Sequence, residues 1–159
     1  MKSNTQKLVL SAMFAALICV VTMIIKVPSP LKGYLNLGDC VVLLAGWMLS
    51  PGYGFLAAGI GSALADLFSG YVVYAPATFI IKGCMAVTAG YMYKFAPKKQ
   101  IALAVGGILA ECIMVFGYYF FEGMLYGFGP AIVNIPANAI QGTAGLVLGI
   151  ALMKFLCKI

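Results

Sequence analysis

IALAVGGILAECIMVFGYYFF, residues 101–121, is apolar from end to end except for Glu111. Residues 75–95, APATFIIKGCMAVTAGYMYKF, repeat the arrangement with Lys82 near the middle. Each run is long enough to cross a bilayer, which needs about 20 mostly apolar residues of helix. A charge at the centre of such a helix costs about 2.5–3.5 kcal/mol on insertion scales and is kept where it has a task. The two charges together predict a membrane protein that binds or carries something polar.

Composition agrees: 64% of the 159 residues are hydrophobic and 9% charged, with a mean hydropathy of +1.06, well outside the soluble range. Cutting the chain at its Pro, Gly and Lys clusters leaves six spans: residues 8–25, 37–49, 54–68, 75–95, 101–121 and 135–157. The second and third, parted by Ser50-Pro51-Gly52, are short, so they must tilt, sit partly in protein or borrow flanking residues. The predicted fold is all-α: one six-helix transmembrane domain over residues 1–159, its backbone polar groups satisfied within helices.

Lysines orient the bundle, because cytoplasmic loops carry the excess of positive charge. With the N-terminus inside, Lys2, Lys7, Lys94, Lys98, Lys99, Lys154 and Lys158 are cytoplasmic, against Lys26 and Lys32 outside. Both termini are then cytoplasmic. The net charge of +6 follows from this topology and calls for no nucleic-acid partner. The first span resembles a secretory signal in having Lys2 and Lys7 ahead of it, but it is long and its small residues Ala12, Ala15 and Ala16 lie mid-span.

Several chemistries are excluded. The chain has no histidine, and its five cysteines stand singly, so a zinc site and the histidine-based nucleophile arrangements are not expected. No Gly-x-x-x-x-Gly-Lys-Ser/Thr loop is present, and Gly59-x-Gly61 lacks the rest of a dinucleotide fingerprint. No metal, cofactor or enzymatic activity is expected. A protein of this kind that moves solute uphill needs an ion gradient or a partner to drive it.

The remaining polar residues fall into patterns. Glu111, Val115, Tyr118 and Glu122 recur at i, i+4, i+7 and i+11 of the fifth helix and share its inward face. Glu111 needs a partner, and Lys82 is the expected one; the two either form a structural ion pair or bind a substrate. Asn134, Asn138 and Gln141 open the sixth helix on one face, with Asn134 suited to capping and the other two to binding an uncharged heteroaromatic ring or to gluing helices together. Asp39 and Asp66 are placed near the outer loops, Asp39 as a first-turn carboxylate favoured by the helix dipole. The outer tyrosines, Tyr34, Tyr71, Tyr74, Tyr118, Tyr119 and Tyr126, fit an interfacial belt or a stack on a flat ligand. Ala12 and Ala16 lie on a helix without charge between Lys7 and Lys26, so that helix could slide against a partner.

A family resemblance rests on Tyr34-Leu35-Asn36-Leu37-Gly38-Asp39, Gly59-Ile60-Gly61-Ser62-Ala63-Leu64-Ala65-Asp66-Leu67, Gly70-Tyr71 and Tyr74-Ala75-Pro76-Ala77-Thr78-Phe79-Ile80-Ile81-Lys82-Gly83. These segments resemble the substrate-binding S components of energy-coupling-factor (ECF) vitamin transporters. The likeness is closest to the riboflavin-type family, and within it to small members linked with hydroxymethylpyrimidine or pyridoxine. It covers the whole chain in size and helix count, with its motifs in residues 34–83. It implies a multi-pass subunit of the bacterial cytoplasmic membrane that captures a vitamin from outside under a lid of outer loops. It also implies partners: a membrane coupling protein (T component) and two ATPase subunits, with Ala12 and Ala16 matching the family's Ala-x-x-x-Ala docking motif. The chain has no arginine, and its fifth and sixth helices match no single-ligand signature.

The expected substrate site is Lys82, Glu111, Tyr118, Asn138 and Gln141, beneath loops bearing Asn36 and Tyr74. Two other readings stand beside it. One is an ion-coupled secondary transporter working alone, although no internal repeat of the kind such transporters use is visible. The other is a non-transport assembly subunit whose charges are structural.

Overall fold

The computed structural model describes residues 4–29 and 33–157; Lys2, Lys32 and Lys158 of the orientation argument lie outside them. The elements run α1 (Asn4–Ile24), β1 (Lys26–Pro28), β2 (Tyr34–Asn36), α2 (Gly38–Met48), α3 (Pro51–Phe68), α4 (Ala75–Phe95), α5 (Lys99–Tyr126), a one-turn α6 (Phe128–Ala131), a 3-10 turn (Ile132–Asn134) and α7 (Ile135–Cys157). The fold is the six-helix all-α membrane bundle expected. α1, α5 and the segment Phe128–Cys157 are each apolar and long enough to cross a membrane. Leu8, Met13, Ile80, Phe116, Ile140 and Phe155 are among many large apolar side chains left on the outside, a surface suited to lipid and not to water.

α2 stands at the centre. Every residue from Gly38 to Trp47 is buried, and α2 packs on α1, α3, α4, α5 and α7. At 11 residues it is about 16 Å long, roughly half the hydrocarbon thickness. The short second span therefore sits inside protein, one of the options its length left open. α1 packs on α3, α3 on α4, α4 on α5 and α5 on α7, so the other helices surround it in that order.

Close crossings depend on missing side chains. A Cβ on Gly46 of α2 would lie 2.4 Å from the Ala86 carbonyl oxygen of α4, and one on Gly90 would lie 2.5 Å from the Gly46 oxygen. The obstacle at both positions is backbone, which cannot swing aside. Gly46→Val is expected to lower stability by about 1–3 kcal/mol, seen as an earlier thermal unfolding midpoint in detergent; an unchanged midpoint would contradict this packing.

Two local features differ from the sequence reading. The link between the first two spans, read as a turn around Pro28-Ser29-Pro30, contains an antiparallel hairpin pairing Lys26 with Asn36, Val27 with Leu35 and Pro28 with Tyr34. The fifth helix runs to Tyr126, past the Phe121 end suggested by hydropathy, so Glu122 lies within it. It ends at Gly127, whose φ of +93° is a conformation that side chains other than glycine's rarely adopt.

Candidate functional site

Three connections meet at one end of the bundle. The β1–β2 hairpin reaches α3 through the Tyr34 hydroxyl, which donates to Asp66 Oδ1 at 2.6 Å, and the α3–α4 connection through the Tyr34–Tyr71 ring contact at 4.7 Å. It reaches α7 through the Asn36 backbone N–H, which donates to Gln141 Oε1 at 2.9 Å. The α5–α7 connection joins in through Asn134, whose Nδ2 donates to Glu122 Oε1 at 2.8 Å.

Between them lies a polar cavity of about 30 Å³, lined by Tyr34, Asn36, Asp66, Tyr71, Tyr74, Thr78, Tyr118, Glu122, Asn138 and Gln141 among others. The Thr78 and Tyr118 hydroxyls bond across one wall at 3.0 Å. Burial, then the nearby Asp66 carboxylate, push the Tyr34 phenol above its ordinary range, so it stays a donor. Tyr34→Phe removes that donor from Asp66 and is expected to cost about 1–3 kcal/mol, measurable by thermal unfolding; wild-type stability would argue against this latch.

Five of the seven expected site residues line this cavity: Asn36, Tyr74, Tyr118, Asn138 and Gln141. Lys82 and Glu111 are not among its lining residues. Lys82 is buried and forms an ion pair with Asp39 of α2, and its Nζ stands 5.6 Å from the Tyr118 ring centroid. Gln141 ties the layers together, since its Nε2 donates to Asp39 Oδ2 at 2.7 Å while its Oε1 holds the hairpin.

The expected partnership of Lys82 with Glu111 is thus corrected. Neither Glu111 oxygen has a hydrogen-bond partner. The side chain is wedged against α7, where a Cβ on Gly142 would come within 2.9 Å of Glu111 Oε2 and one on Gly145 within 2.7 Å of the Asp39 Cβ. Asp39, placed near the outer loops by sequence, is 0% exposed. The reason is packing: α2 is surrounded by α1, α3, α4, α5 and α7, and Lys82 and Gln141 close over its first turn.

Glu122, placed by sequence on the inward face of the fifth helix, is also buried, bonded by Asn134 and, at 3.4 Å, by the Tyr74 hydroxyl. Sequence reasoning left Asp66, Thr78 and Glu122 out of the site. The shared face with Glu111 and Tyr118 was the signal for Glu122; its place near a hydropathy boundary hid it.

Fold and cavity define a helical membrane protein with a polar site at one end of its bundle. Residues 2–158 match the family model of the ECF-type riboflavin transporter S component, and the chain belongs to that family. The family is a transporter component and not an enzyme class. The chain is 35% identical over 133 residues, 83% of its length and 88% of the relative's, to an uncharacterized protein in the gap 3' region of Pyrococcus woesei. It is 29% identical over 148 residues, 91% of its length and 84% of the relative's, to the thiamine precursor transporter HmpT of Lactococcus lactis subsp. cremoris (strain MG1363).

Among solved structures it resembles the S component of a bacterial ECF transporter, with a TM-score of 0.75, 27% identity and 98% of each chain covered. The S component for biotin from an ECF-type ABC transporter shares the fold, with a TM-score of 0.59, 20% identity, and 97% and 95% of the chains covered.

Proposed function

We propose that the chain is the high-affinity substrate-binding subunit of an ATP-driven ECF-type vitamin uptake transporter, taking a small ring-containing vitamin or precursor. Pyridoxine or hydroxymethylpyrimidine comes first and riboflavin after them. The observation that carries this is the polar cavity lined by Asn36, Tyr74, Tyr118, Asn138 and Gln141, whose amides and phenols offer both donors and acceptors to a heteroaromatic ring. Its volume of about 30 Å³ is well below the roughly 300 Å³ of the smaller ligand pockets. The hairpin and the tyrosine-bearing loop must therefore part on binding, which favours a small ring over a large one. Likeness to a thiamine precursor transporter supports the same choice.

In this reading Lys82 and Glu111 support the site from below, the cavity faces the exterior and both termini are cytoplasmic. Power comes from a T component and two ATPase subunits. Ala12 and Ala16 are exposed on α1, between the exposed side chains of Leu8, Met13 and Leu17, where a coupling protein can reach them.

Native mass spectrometry of the detergent-purified protein, followed by titration with pyridoxine, hydroxymethylpyrimidine and riboflavin, tests the binding role. Absence of any bound vitamin-like compound, together with no tight binding across the panel, overturns it. Uptake into liposomes is expected only with the T component, the ATPases and ATP. Uptake by the chain alone would favour the ion-coupled alternative.

A further inference from the structure

Two buried carboxylate oxygens in the cavity are under-matched, although the Thr78 hydroxyl stands close to Asp66. Asp66 Oδ2 and Glu122 Oε2 have no hydrogen-bond partner, although their side chains are only 5% and 3% exposed. Both residues line the cavity, Asp66 from α3 and Glu122 from α5. Each acid is anchored by its other oxygen: Asp66 Oδ1 accepts from Tyr34, and Glu122 Oε1 accepts from Asn134 and Tyr74.

Leaving a buried acceptor unmatched costs about 1–3 kcal/mol, more when it is charged, and two such atoms on one small cavity make a site built for donors. The nearby cations are engaged elsewhere. Lys82 is held by Asp39 and Lys26 donates to the Ser69 hydroxyl, and among the described residues no lysine lines the cavity. Among the described residues, an anionic ligand would meet two carboxylates and no counter-charge.

We propose that Asp66 and Glu122 contact the substrate directly and select a ring carrying at least two N–H or O–H donors and no anionic group. This rests on the binding-subunit reading above and names the chemistry of its ligand. Amide replacement tests it cleanly, because Asp66→Asn and Glu122→Gln retain the anchoring carbonyl oxygen while turning the free acceptor into a donor.

Isothermal titration in detergent would use 4-amino-5-hydroxymethyl-2-methylpyrimidine and pyridoxine, each beside its phosphate ester and its neutral acetyl ester. The wild-type protein is expected to bind a free ring at least about tenfold more tightly than its phosphate ester, with the acetyl ester between them. D66N and E122Q are each expected to weaken the free ring by about tenfold to 100-fold and to narrow its advantage over the phosphate. A merely structural role would not change that discrimination.

A phosphate ester bound as tightly as the free ring overturns the proposal, as does an acetyl ester as weak as the phosphate, or a pair of amide variants with unchanged affinity and discrimination. The comparison on wild-type protein stands even if a variant fails to fold. If the wild type binds none of these compounds or riboflavin, the binding-subunit reading falls too; if it binds a ring but prefers the anion, only the present inference falls.

Discussion

Lys82→Met is expected to destabilise the folded protein by about 3–5 kcal/mol, because it leaves the Asp39 carboxylate buried without its counter-charge. Asp39 is 0% exposed and Lys82 is 3% exposed, so neither group can turn to water for solvation. The remaining bond from Gln141 Nε2 to Asp39 Oδ2 neutralises no charge. The measurement is the unfolding midpoint in detergent. The double variant Lys82→Met with Asp39→Asn should recover most of the loss, since an amide at position 39 still accepts from Gln141 and carries no charge to strand. Replacing Lys82 and Glu111, the pair that sequence alone suggests, together with apolar residues should give no such recovery. A Lys82→Met protein as stable as the wild type would show that the pair contributes nothing.

Gln141→Leu is expected to be severe, at about 1–3 kcal/mol for the buried Asp39 oxygen it strands and a smaller loss for the half-buried Asn36 N–H. The Asn36 N–H loses its acceptor and Asp39 Oδ2 loses its donor. The same side chain lines the cavity, so binding should also fail in whatever protein still folds. Gln141→Glu separates the two effects: it can still accept from Asn36 but places a second carboxylate against Asp39, so it should lose stability while the hairpin stays docked. Hydrogen exchange at the Asn36 amide reads the docking directly. Fast exchange there in the glutamate variant would break this account.

The sequence made the helices legible because hydropathy and proline breaks are local signals, and the inward face of α5 because Glu111, Tyr118 and Glu122 follow one helical period. Asn138 and Gln141 were legible for the same reason. What it did not reveal was partnership. Periodicity puts Glu111 on a face but says nothing about which charge on another helix is nearest, and Lys82 turned out to belong to Asp39. The depth of Asp39 was hidden by an assumption that every helix ends at a membrane surface, which an eleven-residue helix does not obey. Glu122 was hidden by its position at the edge of an apolar run, where a carboxylate looks solvated until the α5–α7 connection folds over it. The hairpin was obscured by its prolines, which mark turns more loudly than three-residue strands mark pairing.

The stubby central helix also thins the bundle under the cavity. From the Asp39 end of α2, tied to the cavity through Gln141, the helix reaches its other end in eleven residues, about 16 Å. The floor of the cavity is therefore a single short helix, and its hold on Gln141 makes that helix part of the site.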